Sequence, residues 1–248
     1  MFQRILLVVL FMSSAVFAED RSAEIDAFVA LYQDGDLLSQ KRAIEPLAWR
    51  GITDERVYDE IEKKLLENYQ AAEEKLARDA VSWFIKGLGY SGNAKYITTL
   101  DTVRYETTDF KHRKYAKSAI KMISQYAEYN RIINDQSQWN SEESGDVNRF
   151  ANMVRSHDLE LKRMGVRRVI TDDVKSDYLL EVINADVLAN YQTEDKSKLF
   201  ANTYAYMTKA LAALGDGKYA DTVRRVAEGG YSIRLRKYAK GYLDDYKL

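Results

Sequence analysis

Arg113-Lys114-Tyr115-Ala116-Lys117 returns letter for letter as Arg236-Lys237-Tyr238-Ala239-Lys240, at a separation of 236 − 113 = 123 residues. At that separation Lys86 matches Lys209, Leu88 matches Leu211, Gly92 matches Gly215, and Lys95-Tyr96 matches Lys218-Tyr219. Thr99 and Val103 likewise match Thr222 and Val226. A register kept without a gap from Lys86 to Lys117 predicts a duplicated helical array, and arrays of this kind build extended binding surfaces. Tyr115 and Tyr238 are expected in equivalent environments. Upstream the echoes are looser. Lys41-Arg42 returns as Lys162-Arg163, Ile52-Thr53-Asp54 as Ile170-Thr171-Asp172, and Asn68-Tyr69 as Asn190-Tyr191. Their unequal spacings predict several small insertions.

The composition agrees with helices. The 248 residues include 12 Gly and 1 Pro, too few breakers for a protein that turns every few residues. Apolar residues recur at helical spacing, as in Val57, Ile61 and Leu65, or Leu76, Ala80, Trp83, Phe84 and Leu88. The stretch 134–146 is polar and acidic, with an isolated Trp139, and reads as a junction between a first half (19–133) and a second (147–248).

Lys209 to Tyr219 closes one helix in Leu-Gly-Asp and opens a short second one. A later helix carries Ile233, Arg236, Ala239 and Leu243. Leu88, Gly92, Arg113, Ala116 and Ile120 stand in the same places of the first copy. This pattern resembles HEAT repeats, and most closely the short HEAT-like repeats of phycobilisome lyases, with Asn93 where that pattern has Asp. The resemblance implies an all-α, right-handed HEAT-like α-solenoid of about six helix pairs in two related halves. With units of about 40–47 residues, a spacing of 123 is three units. Bilin attachment is not carried over, because the chain reads as exported.

Export is expected from residues 1–18. Arg4 precedes the apolar run Ile5 to Met12, and Val16-Phe17-Ala18 fits a cleavage site, so the mature chain is expected to begin at Glu19 in the periplasm or outside the cell. The chain has no Cys, which removes thiol catalysis, disulfides and thiolate metal sites. Without Arg4 the charged residues are 37 − 1 = 36 basic against 38 acidic, a balance that argues against bulk nucleic-acid binding. No further long apolar run predicts membrane insertion of the mature chain.

Several motifs are weighed by context. Gly87-Leu88-Gly89-Tyr90-Ser91-Gly92 spells a dinucleotide fingerprint, but a helix leads into it and only its last Gly has a glycine counterpart. Gly92 and Gly215 are therefore expected to be left-handed helix caps, and Gly87→Ala to be neutral or slightly stabilising. Glu143-Ser144 resembles the opening of the lytic transglycosylase motif. That motif goes on to a Gly-Leu-Met-Gln segment, whereas this chain has Asn152-Met153-Val154-Arg155. His112 and His157, the two imidazoles, lack metal-ligand spacing. His112 stands where the other copy has Leu235 and is expected to be partly buried. No cofactor or metal is expected.

The basic helix faces are the usable functional signal. Tyr115, Ala119, Ile123 and Tyr126 form an apolar stripe, and Lys114, Lys117 and Lys121 recur on another face. Lys237 and Lys240 repeat this. Arg113, Lys114, Lys117, Lys121, Arg236, Lys237 and Lys240 are the candidate residues for holding a protein or peptide partner, an acidic one suiting their charge. The alternative is an enzyme acting on cell-wall glycans, or a helical accessory domain of one.

Overall fold

The structure, a computed structural model, describes residues 21–70 and 74–248. The expected leader 1–18 and the expected terminus Glu19 lie outside the described residues. The described residues are all-α, with no strand among them. None of the helices among them is long and apolar enough to cross a membrane. The chain divides into two compact units between Arg131 and Ile132.

The first unit begins with α1 (residues 21–34). Helix α2 (Leu37–Arg50) starts at Asp36, whose carboxylate accepts from the N–H groups of Leu38 and Ser39. It contains Pro46 and stops at Gly51, where φ is 64°. Asp54 opens α3 (Glu55–Asn68) in the same manner. Helix α4 (Lys75–Tyr90) follows, then a 3-10 turn (Ala94–Tyr96), α5 (Ile97–Glu106) and α6 (Phe110–Ile133). Side-chain oxygens at the helix starts satisfy amides that the helix leaves unpaired. Helices α2 and α3 both pack on α4. The core between them contains Tyr32, Ile44, Tyr58, Ile61, Phe84 and Leu88.

The second unit has α7 (Gly145–Arg155), α8 (Leu159–Thr171) and α9 (Asp177–Asn190), then α10 (Lys198–Leu214), α11 (Ala220–Gly229) and α12 (Ile233–Asp245). Ser144, Asp158, Ser176 and Ser197 cap the first four of these. Helix α10 is the centre, packing on α8, α9, α11 and α12. The polar stretch 134–146 is fastened within this unit. Asn148 bonds both the amide and the carbonyl of Asn140, and Glu143 accepts from Ser176 at 2.8 Å.

Element starts reveal a simpler register than the sequence echoes suggest. Helices α8 and α9 begin 159 − 37 = 122 and 177 − 55 = 122 residues after α2 and α3. Helices α10, α11 and α12 begin 198 − 75 = 123, 220 − 97 = 123 and 233 − 110 = 123 residues after α4, α5 and α6. One residue is gained between the third and fourth helices, not several. Two of the echoes are thereby corrected. Ile52-Thr53-Asp54 leads into α3, whereas Ile170-Thr171-Asp172 ends α8, and the counterpart of cap Asp54 is Ser176. Buried Lys162 corresponds to buried Gln40, not to Lys41.

The glycines also differ from expectation. Gly92 does adopt φ 66°, but Gly215 has φ −92° and is not a left-handed cap. The left-handed turn falls on Asp216 and Gly217 instead. Gly215 is small because a Cβ there would stand 2.4 Å from the Tyr219 ring and 2.6 Å from the Leu211 carbonyl. Gly87 and Gly89 lie inside α4 as crossing points: a Cβ on Gly87 would meet Ile44 at 2.8 Å, and one on Gly89 would meet Ala119 at 3.2 Å. The glycine-rich string is thus a packing seam.

Gly87→Ala is accordingly expected to lower stability, against the sequence reading, because Ile44 must move. Gly241→Ala, inside α12 with nothing within 4 Å of the added Cβ, should raise it by about 0.5–1 kcal/mol. Urea unfolding of the two variants checks both signs.

Candidate functional site

The candidate basic residues fall into two groups. Lys114, Lys117 and Lys121 on α6, and Lys237 and Lys240 on α12, are exposed and form no ion pair among the described residues. Arg113, itself exposed, and half-buried Arg236 bond backbone carbonyls instead. Arg113 donates to the Thr107 carbonyl at 3.2 Å, and Arg236 to those of Gly230 and Tyr231 at 2.5 and 3.1 Å. Each arginine fastens the start of its helix to the end of the preceding one. At the heads of the same helices Phe110 and Ile233 are 74% and 77% exposed, although both are apolar.

Aromatic rings beside the lysines make a second feature. In the first unit Lys86 places its ammonium 4.2 Å from the Trp83 ring centre and 4.9 Å from that of Tyr115. Such cation–aromatic contacts stabilise by about 0.5–1 kcal/mol at exposed sites. Asp79 is bound nearby by Lys41 at 3.6 Å and Lys111 at 3.3 Å. In the second unit the counterparts are Tyr206, Lys209, Tyr238 and Asn202, and Tyr242 stands where the first unit has Ala119. These residues line an open depression of about 240 Å³ between α10 and α12.

Tyr115 and Tyr238 do not share the equivalent environments that the repeat predicts. Tyr115 is half-buried under Lys86 and Lys111, while Tyr238 is 45% exposed and lies parallel to Tyr242 at 6.4 Å. The change of Ala119 to Tyr242 supplies the stacking partner. The change of Asp79 to Asn202 removes the carboxylate and leaves the Lys209 side of the depression cationic.

The other sequence candidates are structural. His112 is fully buried rather than partly, and its Nε2–H donates to the Arg78 carbonyl at 2.9 Å. His157 is exposed. Ser144 caps α7, and Gly87 and Gly89 are the packing seam described above. No cluster of metal-binding side chains occurs among the described residues. No known protein family matches the chain, and no curated protein matches it.

A polar ladder ties α3 to the start of α5 and α9 to the start of α11. Lys95 reaches Glu55 and Asp59, Tyr96 donates to Asp59 at 2.8 Å, and Thr99 donates to Glu62. In the second unit Lys218 reaches Glu181 at 2.9 Å, Tyr219 donates to it at 3.0 Å, and Thr222 donates to Asn184 at 2.7 Å. In a further pair buried Lys162 contacts half-buried Asp186 at 2.6 Å, and Asp186 also accepts from Tyr204 and Asn190.

The Lys218 ammonium holds the Glu181 carboxyl below the usual glutamate range, and the Tyr219 hydroxyl adds to it. A carboxyl with a depressed folded pKa contributes stability above its unfolded value of about 4.3, and loses it as pH falls through the folded pKa. Lys218→Met should move the Glu181 titration upward in carbon-13 NMR and flatten the acid limb of the stability profile. The Lys162–Asp186 pair behaves differently. Lys162→Met leaves half-buried Asp186 without its cation and should cost about 2 kcal/mol, while adding Asp186→Leu should recover part of the loss. Denaturant unfolding of the single and double variants measures the difference.

Proposed function

We propose that the chain is an exported, right-handed HEAT-like solenoid that binds a segment of a protein partner in its concave groove. The observation that carries this reading is the α10–α12 depression, whose tyrosines and unpaired Lys209 sit where the first unit has Asp79 held by two lysines. Loss of that internal acid leaves positive charge and exposed aromatic area together, which suits an acidic segment carrying apolar side chains. The exposed lysines of α6 and α12 would orient and steer it, and Phe110 and Ile233 extend the apolar contact. The glycan-acting alternative needs a carboxyl group able to donate a proton to the leaving oxygen. Glu181, in the larger depression of the second unit, is instead held ionised by Lys218, so this reading stands second.

Replacing Lys114, Lys117, Lys237 and Lys240 together with Glu should leave helicity intact and abolish capture of acidic peptides by the full chain. Wild-type binding should weaken with salt, since exposed charges are screened over about 8 Å at physiological ionic strength. The same number of changes at Lys63, Lys175, Lys196 and Lys198 should do much less. A charge-reversed protein that is folded and binds as well as wild type removes the lysine faces from the reading, and turnover of peptidoglycan by the purified chain would favour the enzyme.

A further inference from the structure

Arg155, the last residue of α7, is a cation without an anion among the described residues. Its Nη2 donates to the Tyr178 hydroxyl at 2.9 Å, and the guanidinium carbon lies 5.4 Å from the Tyr178 ring centre. Its Nη1 is buried and has no hydrogen-bond partner. It makes no ion pair, although it lines an open depression of about 520 Å³ together with Tyr178, Glu181, Val182, Ala185 and Asp186. Both carboxylates there are taken. Glu181 is bound by Lys218 and Tyr219, and Asp186 by Lys162, Tyr204 and Asn190. Lys162 holds Asp186, Lys218 holds Glu181 and also meets exposed Asp177 at 3.9 Å, and no carboxylate among the described residues contacts Arg155.

The first unit shows what is missing. The counterpart of Arg155 is Gln33 (155 − 33 = 122), and its amide donates to the carboxylate of Glu60 at 2.7 Å. The counterpart of Glu60 is Val182 (182 − 60 = 122). The second unit has therefore strengthened the donor from an amide to a guanidinium and deleted the acceptor. The deleted group is a carboxylate on a short aliphatic stem. A guanidinium matches a carboxylate through two parallel N–H···O bonds, and a buried donor left unpaired is costly until a ligand satisfies it.

We infer that this depression is a binding site for an aliphatic carboxylate, with Arg155 as its anchor and Val182 and Ala185 against the carbon stem. The ligand comes either as a free small acid or as the carboxylate of another polypeptide. The site is independent of the lysine faces of α6 and α12.

The test titrates the full chain with sodium propionate, which reproduces the missing side chain, at constant ionic strength, reading the Arg155 Nε–H signal by NMR. A saturable shift with propionate and none with propionamide is expected. Arg155→Gln should weaken binding, read from amide shifts around the depression, at least tenfold. Val182→Glu, which leaves Arg155 in place and restores the acid of the first unit, should do the same without lowering the melting temperature. A peptide with a free C-terminal carboxylate that binds at least tenfold more tightly than propionate assigns a polypeptide ligand, and weaker or comparable binding assigns a free acid. Charge reversal on α6 and α12 should leave the propionate shift unchanged. Absence of a saturable shift with both propionate and peptide overturns the inference, as does a folded Val182→Glu protein that binds like wild type.

Discussion

Two tyrosines set the spacing of α3 and α5, and of α9 and α11. Tyr96 and Tyr219 bury their rings, and a buried hydroxyl is costly unless it finds an acceptor. Each finds one on the earlier helix of its pair, Asp59 on α3 or Glu181 on α9, and the lysine just before each tyrosine reaches the same carboxylate. Two consecutive residues, Lys-Tyr, thereby fix one helix against the previous one through packing, a hydrogen bond and an ion pair at a single carboxylate. The exposed ion pair alone would contribute little. Joined to a buried ring, it determines which turn of α3 or α9 lies opposite the start of α5 or α11. Helix α4 is in turn held by its glycines against Ile44 and Ala119.

This arrangement explains how much of the fold is legible in the sequence. Lys95-Tyr96 and Lys218-Tyr219 are identical because three interactions meet there, and so the repeat is visible. The earlier helices hold their spacing through generic apolar burial. Pairs such as Tyr32 and Val154, or Ile44 and Val166, are buried alike without resembling each other. Their constant offset of 122 is therefore hidden, and chance echoes such as Lys41 with Lys162 stand in its place. Gly215 misleads for a similar reason. A glycine after a helix signals a left-handed turn on average, but only coordinates reveal that Tyr219 folds back over this one. Arg113 and Arg236 belong to an exact repeat and so read as binding residues, yet repetition marks structural fastening as readily as binding.

The two units share an internal plan and differ in where they keep their acids. The first pairs Asp79 with two lysines and Gln33 with Glu60. The second carries Asn202 and Val182 at those places, and puts Asp186 where Lys162 consumes its charge. Both changes remove a carboxylate from a position beside a basic or donating group. The second unit is thereby left with two surface depressions, each lined by a cation that no carboxylate contacts among the described residues. The proposed binding therefore falls mainly on the second unit.

The single extra residue between α9 and α10 has a consequence for how such a chain can change. Lengthening a surface loop is cheap, since loop-closure entropy grows only with the logarithm of its length. One residue added within α10 would instead turn everything after it by about 100°. Tyr206 and Lys209 would leave their surface and be replaced there by core residues such as Ala205 and Thr208. The carbonyl of Tyr191, at the head of the α9–α10 connection, accepts from the Tyr231 amide, so the added residue lies downstream of a fixed point and disturbs nothing before it. Length variation in this architecture is thus channelled into the connections, and the helices pass on their side-chain phase intact, like gear teeth that can be spaced farther apart but not recut.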